Sequence, residues 1–176
     1  TRTFSYDSLS RLKSAANPES GTITYAYDPN GNLTQKDDAR GVRTTYVYDA
    51  LNRVTNRNYS TPNGTPGTGV LANYQPSPDV TYYYDGANIT GGIAHSKGKL
   101  TKVTNGTGAD SSTTEYTSFD ILGRVTGHKQ TTDGGDSAGY STSYTYNLGG
   151  ALIEETYPST RVVKNELNAN GDLVTV

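Results

Sequence analysis

Polar and apolar residues alternate in short runs along this chain, and the runs end at turn-forming residues. In Gly21–Thr34, Ile23, Tyr25 and Tyr27 alternate with Thr22, Thr24 and Ala26. A period of two places the three large side chains on one face of a strand. Asp28-Pro29-Asn30-Gly31 then reverses the chain. Asp accepts hydrogen bonds from backbone groups two residues on, Pro fixes φ, and Gly tolerates positive φ. Leu33 opens a returning strand, and Asp38-Ala39-Arg40-Gly41 closes the unit.

The unit recurs. An aromatic followed by Asp stands at Tyr6-Asp7, Tyr27-Asp28, Tyr48-Asp49, Tyr84-Asp85 and Phe119-Asp120, with degenerate copies at Tyr146-Asn147 and Leu167-Asn168. The intervals are 21, 21, 36, 35, 27 and 21 residues. Six residues after the first position comes an aliphatic: Leu12, Leu33, Val54, Val125, Leu152 and Leu173. In the Tyr84 copy that aliphatic is displaced to Leu100 by an enlarged tip. Gly31, Gly123 and Gly171 hold the same turn position. The pattern predicts seven antiparallel hairpins, with tips at 28–32, 49–53, 120–124 and 168–172 among them. A lone hairpin is marginal in water, so the units must be stabilised by their neighbours.

Long intervals mark insertions near 58–79, 86–98 and 130–140, rich in Gly, Pro, Ser, Thr and Asn. Tyr59 and Tyr74 fall outside the repeat spacing, which makes them the candidates for partner contact. The regular tyrosines are expected to form the inner face. Tyr48→Ala is then expected to cost about 3–5 kcal/mol, the range for aromatic truncation in a core, and a change at Tyr59 far less.

Composition sharpens this picture. The 176 residues include 15 Tyr and no Cys, Met or Trp, with mean hydropathy −0.69. Tyrosine and threonine suit a half-buried pleated surface, so the low aliphatic content does not imply disorder. Net charge is −2, which offers no basic excess for nucleic acid. No apolar run is long enough to span a membrane as a helix.

No catalytic residue, cofactor or metal site is expected. The repeated aspartates Asp7, Asp28, Asp49, Asp85 and Asp120 occur once per tip, where capping of the turn explains them. They do not converge as an acid–base pair would. His95 and His128 are the only histidines, without thiolates to complete a zinc site.

The strings YDSLSRL, YDPNGNLT, YDALNRVT and FDILGRVT resemble the tyrosine–aspartate (YD, or Rhs) repeat. TYYYDGANITGGIAHSKGKLTKVT resembles its long variant in bacterial Rhs proteins. The resemblance implies an all-β chain whose hairpins form a curved, spiralling open sheet, part of a hollow shell. In bacterial Rhs and toxin-complex proteins such a shell encloses a toxin, and in teneurins a similar one serves adhesion. It implies a non-catalytic structural segment at residues 1–176, secreted or at the surface of a bacterial cell. Its partners would be neighbouring YD repeats, of the same or another copy, and a toxin cargo. The alternative is an extracellular adhesion or carbohydrate-binding module that uses the inserted loops to hold a surface glycan. Exposed strands at 2–6 and 170–176 suggest self-assembly edge to edge.

Overall fold

The computed structural model describes residues 1–61, 73, 77–87, 89, 91–108, 111–136 and 138–176. Two compact units divide the chain, Thr1–Thr81 and Tyr82–Val176. In the first lie β1 (Thr3–Tyr6), β2 (Leu12–Asn17), β3 (Gly21–Tyr27), β4 (Leu33–Asp37), β5 (Arg43–Tyr48) and β6 (Val54–Ser60). Strand β7 (Val80–Tyr84) carries the chain into the second unit. There follow β8 (Leu100–Asn105), β9 (Ser112–Phe119), β10 (Val125–Thr132), β11 (Tyr140–Tyr146), β12 (Leu152–Thr156) and β13 (Val162–Lys164). The last hairpin is β14 (Glu166–Leu167) and β15 (Leu173–Thr175). Strand order in the main sheet follows chain order from β1 to β13, while β14 and β15 pair only with each other. The expected antiparallel hairpin array is the observed fold.

The six-residue spacing has a geometric cause. The aromatic and the aliphatic face each other across the hairpin: Tyr6 opposite Leu12, Tyr27 opposite Leu33, Tyr48 opposite Val54, Phe119 opposite Val125, Tyr146 opposite Leu152 and Leu167 opposite Leu173. Register steps by one residue immediately beyond each of these pairs. The step is a bulge that sharpens local twist beside the tip. Leu100 begins β8, and the Asp85 N–H donates to Lys99 O at 3.0 Å. Asp7 N–H makes the corresponding bond to Arg11 O. Leu100 is thus the counterpart of Leu12 despite the longer tip.

Burial shows the limit of a sheet with one layer. In β3 and β11 the tyrosines alternate with exposed residues as expected, but they are half-buried. Tyr25, Tyr27, Tyr46, Tyr48, Tyr82, Tyr84, Tyr144 and Tyr146 all fall in this intermediate class, with Leu33, Val54 and Val125. Among the described residues the buried apolar side chains are Ala15, Val42, Val80 and Phe119. Among the described residues no second layer covers the rings within the hairpins, so truncating a ring loses less buried surface than a core truncation would.

The insertion near 58–79 begins later than its composition suggests. Residues 58–60 continue β6, and Tyr59 lies opposite Thr44. Its ring lies 5.4 Å from the Arg57 guanidinium. Tyr59 is a strand residue here, not a loop residue. Tyr74 lies outside the described residues.

Two substitutions test these assignments by urea denaturation. Half-burial lowers the expected loss for Tyr48→Ala to about 1.5–3 kcal/mol, and Tyr59→Ala should approach it. A Tyr48 loss several times the Tyr59 loss would contradict the strand placement. At the left-handed turn position, Gly31 has φ +89° and Thr160 has φ +66°. Gly31→Ala should cost about 1–2 kcal/mol, and Thr160→Gly should gain up to about 1 kcal/mol. A loss on Thr160→Gly would show that its side chain outweighs its backbone strain.

Candidate functional site: the hairpin tips

Each short tip is a five-residue loop built around one side chain. Asp7 N–H donates to Arg11 O, and Ser10 N–H donates to Asp7 O. The Asp7 carboxylate then reaches across the loop: Oδ1 accepts from the Leu9 and Arg11 amides, each at 2.9 Å. Asp49 accepts from Leu51 and Arg53, and Asp120 from Leu122 and Arg124, in the same way. Asn168 repeats both bonds, to Asn170 and Asp172. Asp28 Oδ1 accepts from the Asn32 amide and Asn147 Oδ1 from that of Ala151. Asp38, in a return turn, caps the Arg40 and Val42 amides. Asp85 departs from the series. It has φ +62°, and its Oδ1 accepts from the distant Gly98 amide.

The tips also join successive hairpins through residues to which the sequence pattern gave no role. Four residues after Asp stands Arg11, Arg53 or Arg124, whose Nε donates to the Asp carboxylate at 2.7, 2.7 and 2.5 Å. Held there, Arg11 lies 4.8 Å above the Tyr27 ring and donates to Asp28 O at 3.0 Å. Arg124 lies 4.6 Å above the Tyr146 ring and donates to Asn147 O at 3.3 Å. In the second tip Asn32 replaces Arg, and its amide donates to Asn52 Oδ1 of the third at 2.8 Å. The tyrosine returns the contact. Tyr27 hydroxyl donates to Leu12 O at 3.0 Å, Tyr48 to Leu33 O at 2.8 Å, and Tyr146 to Val125 O at 2.9 Å. In each case the acceptor is the aliphatic six residues after the preceding aromatic. The sequence signal was there, because Arg recurs four residues after Asp in three copies. Only the fold shows that it acts on the next hairpin.

Where the hydroxyl is missing, the contact changes. Leu167 has none, and the carbonyl that its position would serve, Leu152 O, accepts from the Asn165 side-chain amide at 3.1 Å instead. The strand breaks there into β13 and β14, and the last hairpin leaves the main sheet. Phe119 also lacks a hydroxyl and is among the most buried side chains, 8% exposed.

Electrostatics follow from these bonds. The backbone N–H groups of Arg11 and Arg53, with their guanidinium groups, hold the Asp7 and Asp49 carboxyls below the usual carboxylate range, against a smaller effect of burial. At Asp120 burial is the largest influence and pushes upward, yet the Arg124 bonds outweigh it and the net direction is down. These aspartates are well separated turn caps, with no second carboxylate drawn to a common point. Among the described residues no three His, Cys, Asp or Glu side chains gather as a metal site, and no helix is long and apolar enough to cross a membrane.

Comparison with known proteins gives the same pattern. The model of the RHS Repeat family matches residues 6–43 and 27–66. No curated protein matches the sequence. A crystal structure of TcdB2-TccC3 superposes with a TM-score of 0.73 at 16% identity, over 98% of this chain and 9% of that one. The Photorhabdus luminescens Tc holotoxin pore, with a mutated TccC3, gives 0.73 at 16% identity over 98% and 8%. TcdB2-TccC3 without its hypervariable C-terminal region gives 0.70 at 16% over 98% and 8%. The likeness is one of fold, and this chain spans less than a tenth of the length of those it matches.

The depressed carboxyls set a pH dependence. Their folded-state pKa lies below the unfolded value, so their stabilisation is complete above about pH 3.9 and is lost as pH falls through the folded pKa. Asp49→Asn keeps the Oδ1 acceptor, as Asn147 and Asn168 do naturally, but removes the ionisation. It should destabilise less than Asp49→Ala at pH 7 and should flatten the loss of stability below pH 3.9. Equal losses for the two variants would show that the amide caps contribute nothing.

Proposed function

We propose that this chain, whose residues 6–43 and 27–66 match the RHS Repeat family model, is a non-catalytic wall segment of an Rhs-like shell that encloses or displays a toxin or effector. The observation that carries this reading is the reciprocal contact between successive hairpins. Tyr27 and Tyr146 each donate back to the preceding hairpin, and Arg11 and Arg124 each reach forward to the next. Such an element makes a wall that extends by repetition, with stability that grows by nearest neighbours. The similar structures are toxin-complex proteins much longer than this chain, which supports a wall section, a toxin cargo, and a secreted or cell-surface location in bacteria.

The edges fit the same role. All four residues of β1 are exposed, and Tyr6 is 60% exposed where its counterparts are half-buried. The other edge of the main sheet is β13, with Val162 45% exposed, and not the 170–176 stretch expected from the sequence, because β15 pairs only with β14. A further YD hairpin, from a longer polypeptide or another copy, would cover the Tyr6 ring with its tip Arg and accept the Tyr6 hydroxyl. An open edge of this kind favours strand addition, and a head-to-tail contact generates rings or filaments.

One observation favours carbohydrate binding as a second reading. Tyr140 and Tyr157, 44% and 38% exposed, line a cleft of about 580 Å³ with Asp136 and Arg161. The register puts Tyr157 near Thr142, so both rings belong to the tyrosine face of β11. Exposed rings on one face can stack against a pyranose.

Electron cryo-microscopy of the longest natural polypeptide containing this sequence tests the leading reading. The hairpins are expected as one section of a continuous wall around a lumen. Hairpins on an open stalk, with binding to immobilised oligosaccharides that Tyr157→Ala abolishes, would favour the second reading instead. For the isolated chain, sedimentation velocity at micromolar concentration should show association that Tyr6→Lys weakens. A persistent monomer would contradict the free-edge argument.

A further inference from the structure

The fourth tip spends fifteen residues where the other hairpins close with five, and closing the hairpin does not require them. Its backbone is held in an unusual form. Asp85 and His95 have φ +62° and +60°, a region costly for residues other than glycine. Thr101, fully buried, fastens the base: its hydroxyl accepts from the Gly86 amide and donates to Tyr83 O, each at 3.2 Å. Ser96, 4% exposed, donates to Ile93 O at 2.7 Å, and Lys99 N–H donates to Ser96 O at 2.9 Å. A loop longer than reversal needs, and fastened at its base, presents a fixed surface.

This loop and the fifth tip, both in the second unit, form a cleft of about 610 Å³. Its walls combine two kinds of group. Ile93 on one side faces the tip residues Ile121 and Leu122, which are 82% and 68% exposed. Exposed aliphatic residues recur at these tip positions, as Leu9, Leu51 and Leu148, so Ile93 and the lysines of the fourth tip are what set this cleft apart. His95, Lys97 and Lys99 bring the second kind of group. Lys99 lies across the fifth tip: a methyl on Gly123 would come within 2.8 Å of its Cε. Gly31, at the same turn position, faces open space. The single carboxylate in the lining, Asp85, accepts from the Gly98 amide.

We propose that this cleft is a docking site for an acidic polypeptide segment with interspersed aliphatic side chains. Two lysine ammonium groups against one engaged carboxylate leave a cationic surface. The isoleucines and leucine beside it are what an aliphatic side chain of such a segment would cover. The cleft is open to solvent and is not an enclosed cavity, which suits a surface-bound chain. The inference concerns a surface that the wall function leaves unassigned, and it holds whether the wall encloses a cargo or displays one.

Fluorescence anisotropy with the whole chain tests it, using a short labelled peptide of alternating Glu and Leu as probe. Peptides of Glu with Ser and of Lys with Leu, and phosphatidylglycerol vesicles, serve as the comparison arms. The Glu–Leu peptide should bind and weaken as salt rises. Lys97→Glu and Ile121→Ser, both exposed and outside the packing of the sheet, should each raise its Kd by about tenfold or more, with an unchanged circular dichroism spectrum. Glu–Ser and Lys–Leu peptides should bind at least as weakly as the variants do. Absence of Glu–Leu binding, equal binding by both variants, or binding of the vesicles alone would overturn the proposal.

Discussion

A hydrogen bond from the tyrosine hydroxyl to a carbonyl on the hairpin before it is the constraint on which the rest of this structure depends. The sheet leaves its tyrosine rings half-buried, because a single layer leaves one side of them to solvent. Apolar burial alone therefore stabilises each unit weakly. The hydroxyl adds a directed bond, worth about 0.5–1.5 kcal/mol net, and it fixes where the next hairpin must lie. Tyr27 on Leu12 O, Tyr48 on Leu33 O and Tyr146 on Val125 O are the same bond in three places. The acceptor always follows the tip, so the spacing of aromatic, tip and aliphatic cannot vary unless the tip itself is rebuilt. The fourth hairpin, with its displaced Leu100, is that case.

Asp and Arg complete the arrangement from the other side. The Asp carboxylate organises its own loop through backbone amides and orients the Arg four residues on. Arg in turn covers the next tyrosine. One residue thus serves its own turn, another serves the neighbour, and the repeat is cooperative although each hairpin is small. The last hairpin is instructive because both contacts to it are missing. Leu167 has no hydroxyl, Ala151 stands in the preceding tip where Arg would reach forward, and β14 and β15 separate from the main sheet.

Much of this was legible in the sequence. The alternation Ile23, Tyr25, Tyr27 gave the strand face, the Asp-x-x-Gly strings gave the tips, and the interval between Tyr27 and Leu33 gave the cross-strand pair. Those features are local, and local geometry decides them. The role of Arg11, Arg53 and Arg124 was not legible, although their recurrence was, because the contact of Arg11 lies seventeen residues away on another hairpin. Tyr59 was misplaced for a related reason. Composition marks Pro and Gly after residue 60 as a loop, but pairing with β5 carries the strand through Ser60. The depth of burial was overestimated because periodicity reports which face a ring occupies and says nothing about what covers that face. The cleft beside the fourth tip was marked only as an enlarged turn, since the conformation that brings Lys99 across Gly123 depends on two separate tips.

A double-mutant cycle between Arg124 and Tyr146 tests neighbour coupling most directly. Arg124→Met keeps the aliphatic stem, and Tyr146→Leu removes both the ring and the hydroxyl. Stabilities of the four proteins by urea denaturation give the interaction energy free of each residue's own contribution. Reciprocal contact between hairpins is expected to give a coupling of about 0.5–1 kcal/mol or more. Additive losses, with a coupling within about 0.3 kcal/mol of zero, would mean that the hairpins stand side by side without holding one another, and would contradict the account.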